Sequence, residues 1–211
     1  MQKHDLRKNS RKASLQQRRG AVTLWMLIWV PTLLVLFSVL VGVANLWLAR
    51  VELENALEAA ALAAVKEWGD ENGANGTLTA RQIAAGYAQA NLVRGEQVVI
   101  ATNYDENALN QNAQCDLEPS PPAGNLLFGS IDDVTDPSEV TFRGDLEPTG
   151  SPARKFGVRA QAFAPVPSFL GSSFLGAIGA SRIQAKATAV YDSAEPNNKA
   201  KLIRIDTFLC P

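Results

Sequence analysis

Histidine and cysteine are scarce in this chain. His4 is the only histidine among 211 residues, and Cys115 and Cys210 are the only cysteines. A single imidazole at the fourth position leaves nothing behind it for a histidine-based triad or a His-rich metal site. Two distant cysteines form no Cys-x-x-Cys pair, so neither a redox motif nor a zinc site is encoded. No GxGxxG opens a helix and no GxxxxGK[ST] is present, which removes the usual dinucleotide and nucleotide cradles. No serine sits in a nucleophile elbow. Asp132, Asp133 and Asp136 form an acidic cluster without the EF-hand spacing, and read as a solvated loop. The expectation is a protein that is not an enzyme and uses no cofactor or metal.

Charge is missing altogether from one stretch. The 29 residues from Ala21 to Ala49 contain none, and the most polar among them are Thr23, Thr32, Ser38 and Asn45. About 20 apolar residues cross the roughly 30 Å of bilayer hydrocarbon. Soluble helices rarely stay uncharged for so long, so the run reads as a transmembrane helix over 21–49. A signal peptide would need an apolar core of about 7–15 residues and a small-residue exit. This run is about twice that length, and Ala49-Arg50-Val51 is a poor cleavage site. Pro31 predicts a bend, since it removes a backbone donor. Trp25, Trp29 and Trp47 stand near the two ends, where interface-seeking aromatics belong.

The flanks set a direction. Lys3, Arg7, Lys8, Arg11, Lys12, Arg18 and Arg19 precede the run against a single acid, Asp5; Arg50 follows it with Glu52, Glu54 and Glu58. Cationic flanks stay cytoplasmic, with Arg18 and Arg19 the residues nearest the membrane. Residues 1–20 are therefore expected as a cytoplasmic tail and the C-terminal part as an exported, periplasmic domain. The tail meets anionic lipid headgroups, and no nucleic-acid partner is expected. Ser38 and Gly42 form one small-xxx-small pair, a weak signal for oligomerisation through this helix.

Helical periodicity continues past the run. Leu53, Leu57, Ala60, Ala61, Ala64 and Trp68 recur at three- and four-residue spacing, with Glu52, Glu54, Glu58, Lys66 and Glu67 mostly off that stripe. This is an amphipathic helix over 50–68, and nothing interrupts it at Ala49–Val51. One helix from about 21 to 68 is predicted, ended by Gly69 and the Asn72–Gly76 stretch, with Leu53, Leu57, Ala61 and Ala64 as its interface to a domain. A shorter helix follows, capped by Thr79, running from Ala80 to Leu92 and ended by Gly95.

The remaining domain, 69–211, reads as α+β. Short strand patterns occur at Gln97–Asn103, Glu139–Arg143, Arg154–Phe163, Arg182–Tyr191 and Lys201–Leu209, whereas 104–138 is rich in Asn, Asp and Pro and reads as irregular loop. A small antiparallel sheet with one face on the long helix is the economical arrangement. Between two strands lies SFLGSSFLGAIGA, Ser168–Ala180, either a connector packed on the sheet or an apolar patch for a partner or the bilayer surface. An exported domain meets an oxidising compartment in which Cys115 and Cys210 can pair; two separate thiols are the other reading.

The segment from Arg18 to Ala64 resembles the N-terminal region of TadE/TadG-like proteins of the tight-adherence (Flp) pilus system. The likeness lies in Arg18, Arg19, Gly20, Ala21, Val22 and Pro31. It continues in Leu48, Ala49, Asn55, Ala56, Ala59, Ala60, Ala61, Leu62, Ala63 and Ala64, and VRAQAFAPVPSFLGSSFLGAIGASRIQAKATAVYD looks like a later part of the family. The resemblance implies a pilin-like long N-terminal helix. It further implies an inner-membrane, envelope-facing component of pilus assembly or a secretion apparatus, including minor pseudopilins, with other proteins of that apparatus as partners. It also implies a processing site between Gly20 and Ala21. Trp25 holds the position where many members carry Glu, so the acid that supports prepilin-type cleavage and filament packing is missing. The chain is too short for the von Willebrand A-like domain of longer TadG proteins. An envelope sensor or ligand-binding module using the 104–138 loop is the alternative function.

Overall fold

A computed structural model describes residues 3–71, 77–102, 104, 109–110, 124–132, 140–144, 148, 154–166, 181–193, 199–203, 205 and 207–209. For 3–21, 181 and 207–209 only the backbone is described. The long helix, α1, runs without interruption over Lys3–Asp70, with Pro31 inside it. It is longer than the sequence predicts at both ends. The basic tail joins it, and Gly69 does not stop it.

The second helix, α2, spans Leu78–Ala90. Its N-cap is Thr77 rather than Thr79, and no side-chain hydrogen bond caps it. Strands β1 (Leu92–Val93) and β2 (Glu96–Gln97) then form a hairpin. Its two central residues, Arg94 and Gly95, have φ of 54° and 84°, the doubly left-handed turn that matches the twist of paired strands. Gly95 therefore turns a hairpin instead of ending a helix.

The main sheet has six strands: β3 (Asn125–Ile131), β4 (Thr141–Arg143), β5 (Lys155–Val166), β6 (Ser181–Tyr191), β7 (Ala200–Ile203) and β8 (Thr207–Leu209). Their spatial order is β7-β6-β5-β3-β4-β8. All neighbours are antiparallel except β4 and β8. Three expectations change here. The central strand β3 lies inside the segment read as loop, because Asn125-Leu126-Leu127-Phe128 is an apolar run that the Asn- and Pro-rich surroundings conceal. The last predicted strand splits into β7 and β8, on opposite edges. Among its described residues, the stretch Gln97–Asn103 contributes the end of β2 and a single bridge from Ile100 to Gly124.

Placing β7 and β8 on opposite edges has a geometric consequence. Five inter-strand steps would separate the edges of a flat sheet by roughly 24 Å. Ile203 and Thr207 are four residues apart, and such a link reaches at most about 14 Å. The sheet must therefore curl until its edges approach. The side-chain pattern agrees. On one face Leu126, Phe128, Val158, Ala160, Ala162, Ala185, Ala187 and Ala189 join the core that α1 fills. On the other, Leu127, Ile131, Val140, Phe142 and Val190 form a second core, with Ile203 and Ile205 against it. Every residue of β3 is buried, as a strand covered on both faces must be. Gly157 lies on the inner side of the curl, where an added Cβ would meet Ile131 at 2.8 Å and Phe142 at 3.1 Å.

Helix α1 fills the first core with Ala49, Leu53, Ala56, Leu57, Ala60, Ala61, Ala64, Val65 and Trp68. Alanine at most of these positions lets the helix axis approach both α2 and the sheet closely. Trp68 ends the stripe edge-on against Phe128 and Phe156, with ring centres 5.1 and 4.8 Å apart. Since Leu57 has no exposed surface, Leu57→Ala is expected to lower unfolding stability by about 2–5 kcal/mol in detergent-solubilised protein. Glu58→Ala, on the half-buried flank of the same turn, should stay within about 0.5 kcal/mol.

Candidate functional site

The chemistry-bearing surface of this protein is α1 itself, which divides into three zones. The backbone is helical through Arg18, Arg19, Gly20 and Ala21, whose side chains lie outside the described residues. From Val22 to Leu40 the helix is exposed all round, Ser38 alone being half-buried. Its polar groups are satisfied within the helix. The Thr32 hydroxyl donates to the Ile28 carbonyl and the Ser38 hydroxyl to the Leu34 carbonyl, each at 2.8 Å. This back-bonding is what an apolar solvent demands of a hydroxyl. Trp25 and Trp29 stack with centres 5.7 Å apart. From Ala49 onward one face belongs to the domain, and Leu53, Leu57, Ala61 and Ala64 are fully buried there.

Two devices fix the helix to the domain, neither foreseen from the sequence. At the far end, the Tyr191 hydroxyl donates to Asp70 Oδ1 at 2.6 Å and Lys66 Nζ donates to Asp70 Oδ2 at 2.8 Å. These two hydrogen bonds, Lys66 first, hold the Asp70 carboxyl below its ordinary range. The same contacts raise Lys66, while burial foremost and then the bond to Asp70 raise Tyr191. Gly69 makes the contact feasible, because a Cβ there would run into the Tyr191 ring. Near the membrane end, the Arg94 backbone N–H donates to Glu52 Oε2 at 2.8 Å, tying the β1–β2 hairpin to α1 one turn beyond Ala49.

A third fixture joins α2 to the sheet. Arg81 has no exposed surface. Its Nε donates to Thr77 Oγ1 at 2.9 Å, Nη1 to the Leu126 carbonyl at 3.1 Å, and Nη2 to the Leu109 carbonyl at 2.7 Å and Asn110 Oδ1 at 3.3 Å. The guanidinium also lies 4.4 Å from the centre of the Phe128 ring. Among the described residues its acceptors are all neutral, and burial pulls its pKa down to about 10. Asn110 completes the junction. Its amide accepts from the Phe128 N–H at 2.8 Å and donates to the Phe128 carbonyl at 2.6 Å, so it serves β3 as a neighbouring strand would. The sequence signal for Arg81 is its isolation as the one charged residue of α2, on a face otherwise made of Ala80, Ala84, Ala85 and Ala88.

Other sequence-singled residues are dispersed. Asp132 pairs with Arg154 at 3.0 Å and Arg143 at 3.4 Å, which gives it a structural role; Asp133 and Asp136 lie outside the described residues. So do Cys115, Cys210 and Ser168–Ala180. An added Cβ on Gly42 would meet nothing within 4 Å.

An uncovered apolar helix that continues into the core of a folded domain defines an α+β protein carrying one candidate membrane-spanning helix, Val22–Asp70. Residues 20–71 match the family model described as "Putative Flp pilus-assembly TadE/G-like", so that segment is similar to the TadE/TadG-like family. No curated protein and no solved structure matches it. The matched segment ends within one residue of the end of α1, so what the family shares with this chain is the helix, its lipid-compatible half and its domain-facing half together.

The clasp at Asp70 predicts a pH profile. Asp70 is lowered, so its contribution is complete above the ordinary carboxylate range and disappears as pH falls through its folded value. Lys66 and Tyr191 are raised, so theirs is complete below their ordinary values and is lost as pH rises through the raised ones. Thermal unfolding against pH should therefore fall off on both sides, and Asp70→Asn should flatten both limbs. The solvent-accessible pair limits the change to about 1 kcal/mol or less.

Proposed function

We propose that this protein is a non-enzymatic, membrane-anchored component of Tad/Flp-type pilus assembly or the related secretion apparatus, held in the inner membrane with its basic tail cytoplasmic and its α+β domain on the periplasmic side. The observation that carries this reading is that the family match, residues 20–71, takes in both the apolar half and the domain-facing half of one unbroken helix and ends within one residue of its end. Such a helix transmits the position and tilt of the span directly to the domain surface. The basic flank Lys3–Arg19 against Glu52, Glu54 and Glu58 supports the direction of insertion.

Within this reading the chain works as a resident anchor rather than as a processed minor pseudopilin. Trp25 is fully part of the apolar exposed surface, and an indole offers no carboxylate to a neighbouring subunit's N-terminal amine. The partners are membrane lipid and other proteins of the apparatus, met through the domain or through the free face of α1.

Intact-mass measurement of the protein extracted from native membranes tests this directly. A full-length chain is expected, together with loss of surface pili when the chain is deleted and recovery on re-expression. A mass beginning at Ala21 would replace the anchor by a pseudopilin. Unchanged piliation in the deletion strain would remove the pilus-assembly reading.

A further inference from the structure

The uncharged run and the covered part of α1 overlap, and that overlap locates the domain relative to the bilayer. Coverage of α1 does not begin at Arg50, where charge returns. Leu46 already packs on the main core and Ala49 is fully buried, whereas a Cβ on Gly42, one turn earlier, would meet only open space. The opposite face of the same turns stays bare and apolar. Val43 is 60% exposed, Trp47 71% and Leu48 43%. The turn from Leu46 to Ala49 thus has the protein's own domain on one side and a surface suited to hydrocarbon on the other.

The tryptophans supply a ruler. Trp29 and Trp47 are about 27 Å apart along the helix and Trp25 and Trp47 about 33 Å, which brackets the roughly 30 Å of hydrocarbon. Indoles settle at membrane interfaces, so Trp47 marks the boundary on the domain side. Leu46, which packs on the main core, then lies at that boundary. Glu52 lies about 7.5 Å outside it, near the outer limit of a headgroup layer some 5–7 Å thick. The hairpin is tied at that level by the Arg94–Glu52 hydrogen bond. It presents Leu92 and Val99 exposed beside it.

We propose that the domain does not stand clear of the membrane but is seated in the domain-side headgroup layer, with the β1–β2 hairpin as its foot on the lipid surface and its lower edge meeting α1 at Leu46, level with Trp47. The chain would then hold the bilayer at two places, the span and the foot. This fixes the tilt and rotation of α1, which a lone helix leaves free. The inference rests on α1 spanning the membrane, though not on pilus assembly or on which side the domain faces.

Photo-crosslinking of the full-length protein in lipid nanodiscs tests it. Benzoylphenylalanine is introduced separately at Leu33 in the span, at Glu96 and Gln97 in the exposed hairpin, and at Lys66 near the far end of α1. Lipid adducts are then read by mass spectrometry. The expected result is lipid adduct at Glu96 or Gln97 within a few-fold of that at Leu33 and none at Lys66. Adduct at Leu33 with none at either hairpin position overturns the seat while leaving the span intact; it is also the result a second copy covering this face would give. Adduct at Lys66 equal to that at the hairpin overturns it as well. No adduct at Leu33 overturns both the seat and the span.

Discussion

Everything in this structure depends on one helix serving two solvents without a break. α1 leaves its lipid-compatible half and enters a protein core with no break in the helix between them. Both halves must therefore be compatible with the same helical register. The stripe that begins at Leu46 continues on one face through Leu53, Leu57, Ala61, Ala64 and Trp68. A flexible linker at Arg50 would decouple the domain from the membrane, whereas a continuous helix makes the two a single lever. The small side chains of the stripe bring helix and sheet close. The clasp at Asp70 and Tyr191 and the tie at Glu52 prevent the domain from rolling about the helix.

The sheet answers a second constraint. A six-stranded sheet with a helix on one face would leave its other face wet. Here the short connection between β7 and β8 forces curling, and the concave side gathers Leu127, Ile131, Phe142 and Val190 into a second core. Gly157 supplies room on the inside of the bend. Curling thus buries both faces of β3, among the described residues without a second layer of helices, and lets a small domain enclose enough apolar surface to fold beside the membrane.

Long-range periodicity was the most legible part of the sequence. The uncharged run, the Leu53–Trp68 stripe and the alternation in β5 and β6 each extend over many residues and report directly on helix, core face and strand. Elements of a few residues were not legible. Strand β3 is buried on both faces and so lacks alternation, and its flanks resemble loop. The split between β7 and β8 is set by the closure of the sheet, a tertiary effect with no local sign. Arg81, Asn110 and Gly69 were missed for a related reason. Each acts through a partner 18 to 122 positions distant in the chain, and nothing adjacent in sequence announces that partner.

The family likeness acquires a physical meaning from this division. The shared residues are those of a helix that must satisfy lipid and domain in succession, while the sheet that packs on it falls outside the matched segment. The matched segment thus covers the coupling element and not the surface that it carries. The helix determines only where and at what angle that surface is presented. A membrane seat beneath the domain sharpens the same logic, since a lever is informative to a partner only if its pivot is held.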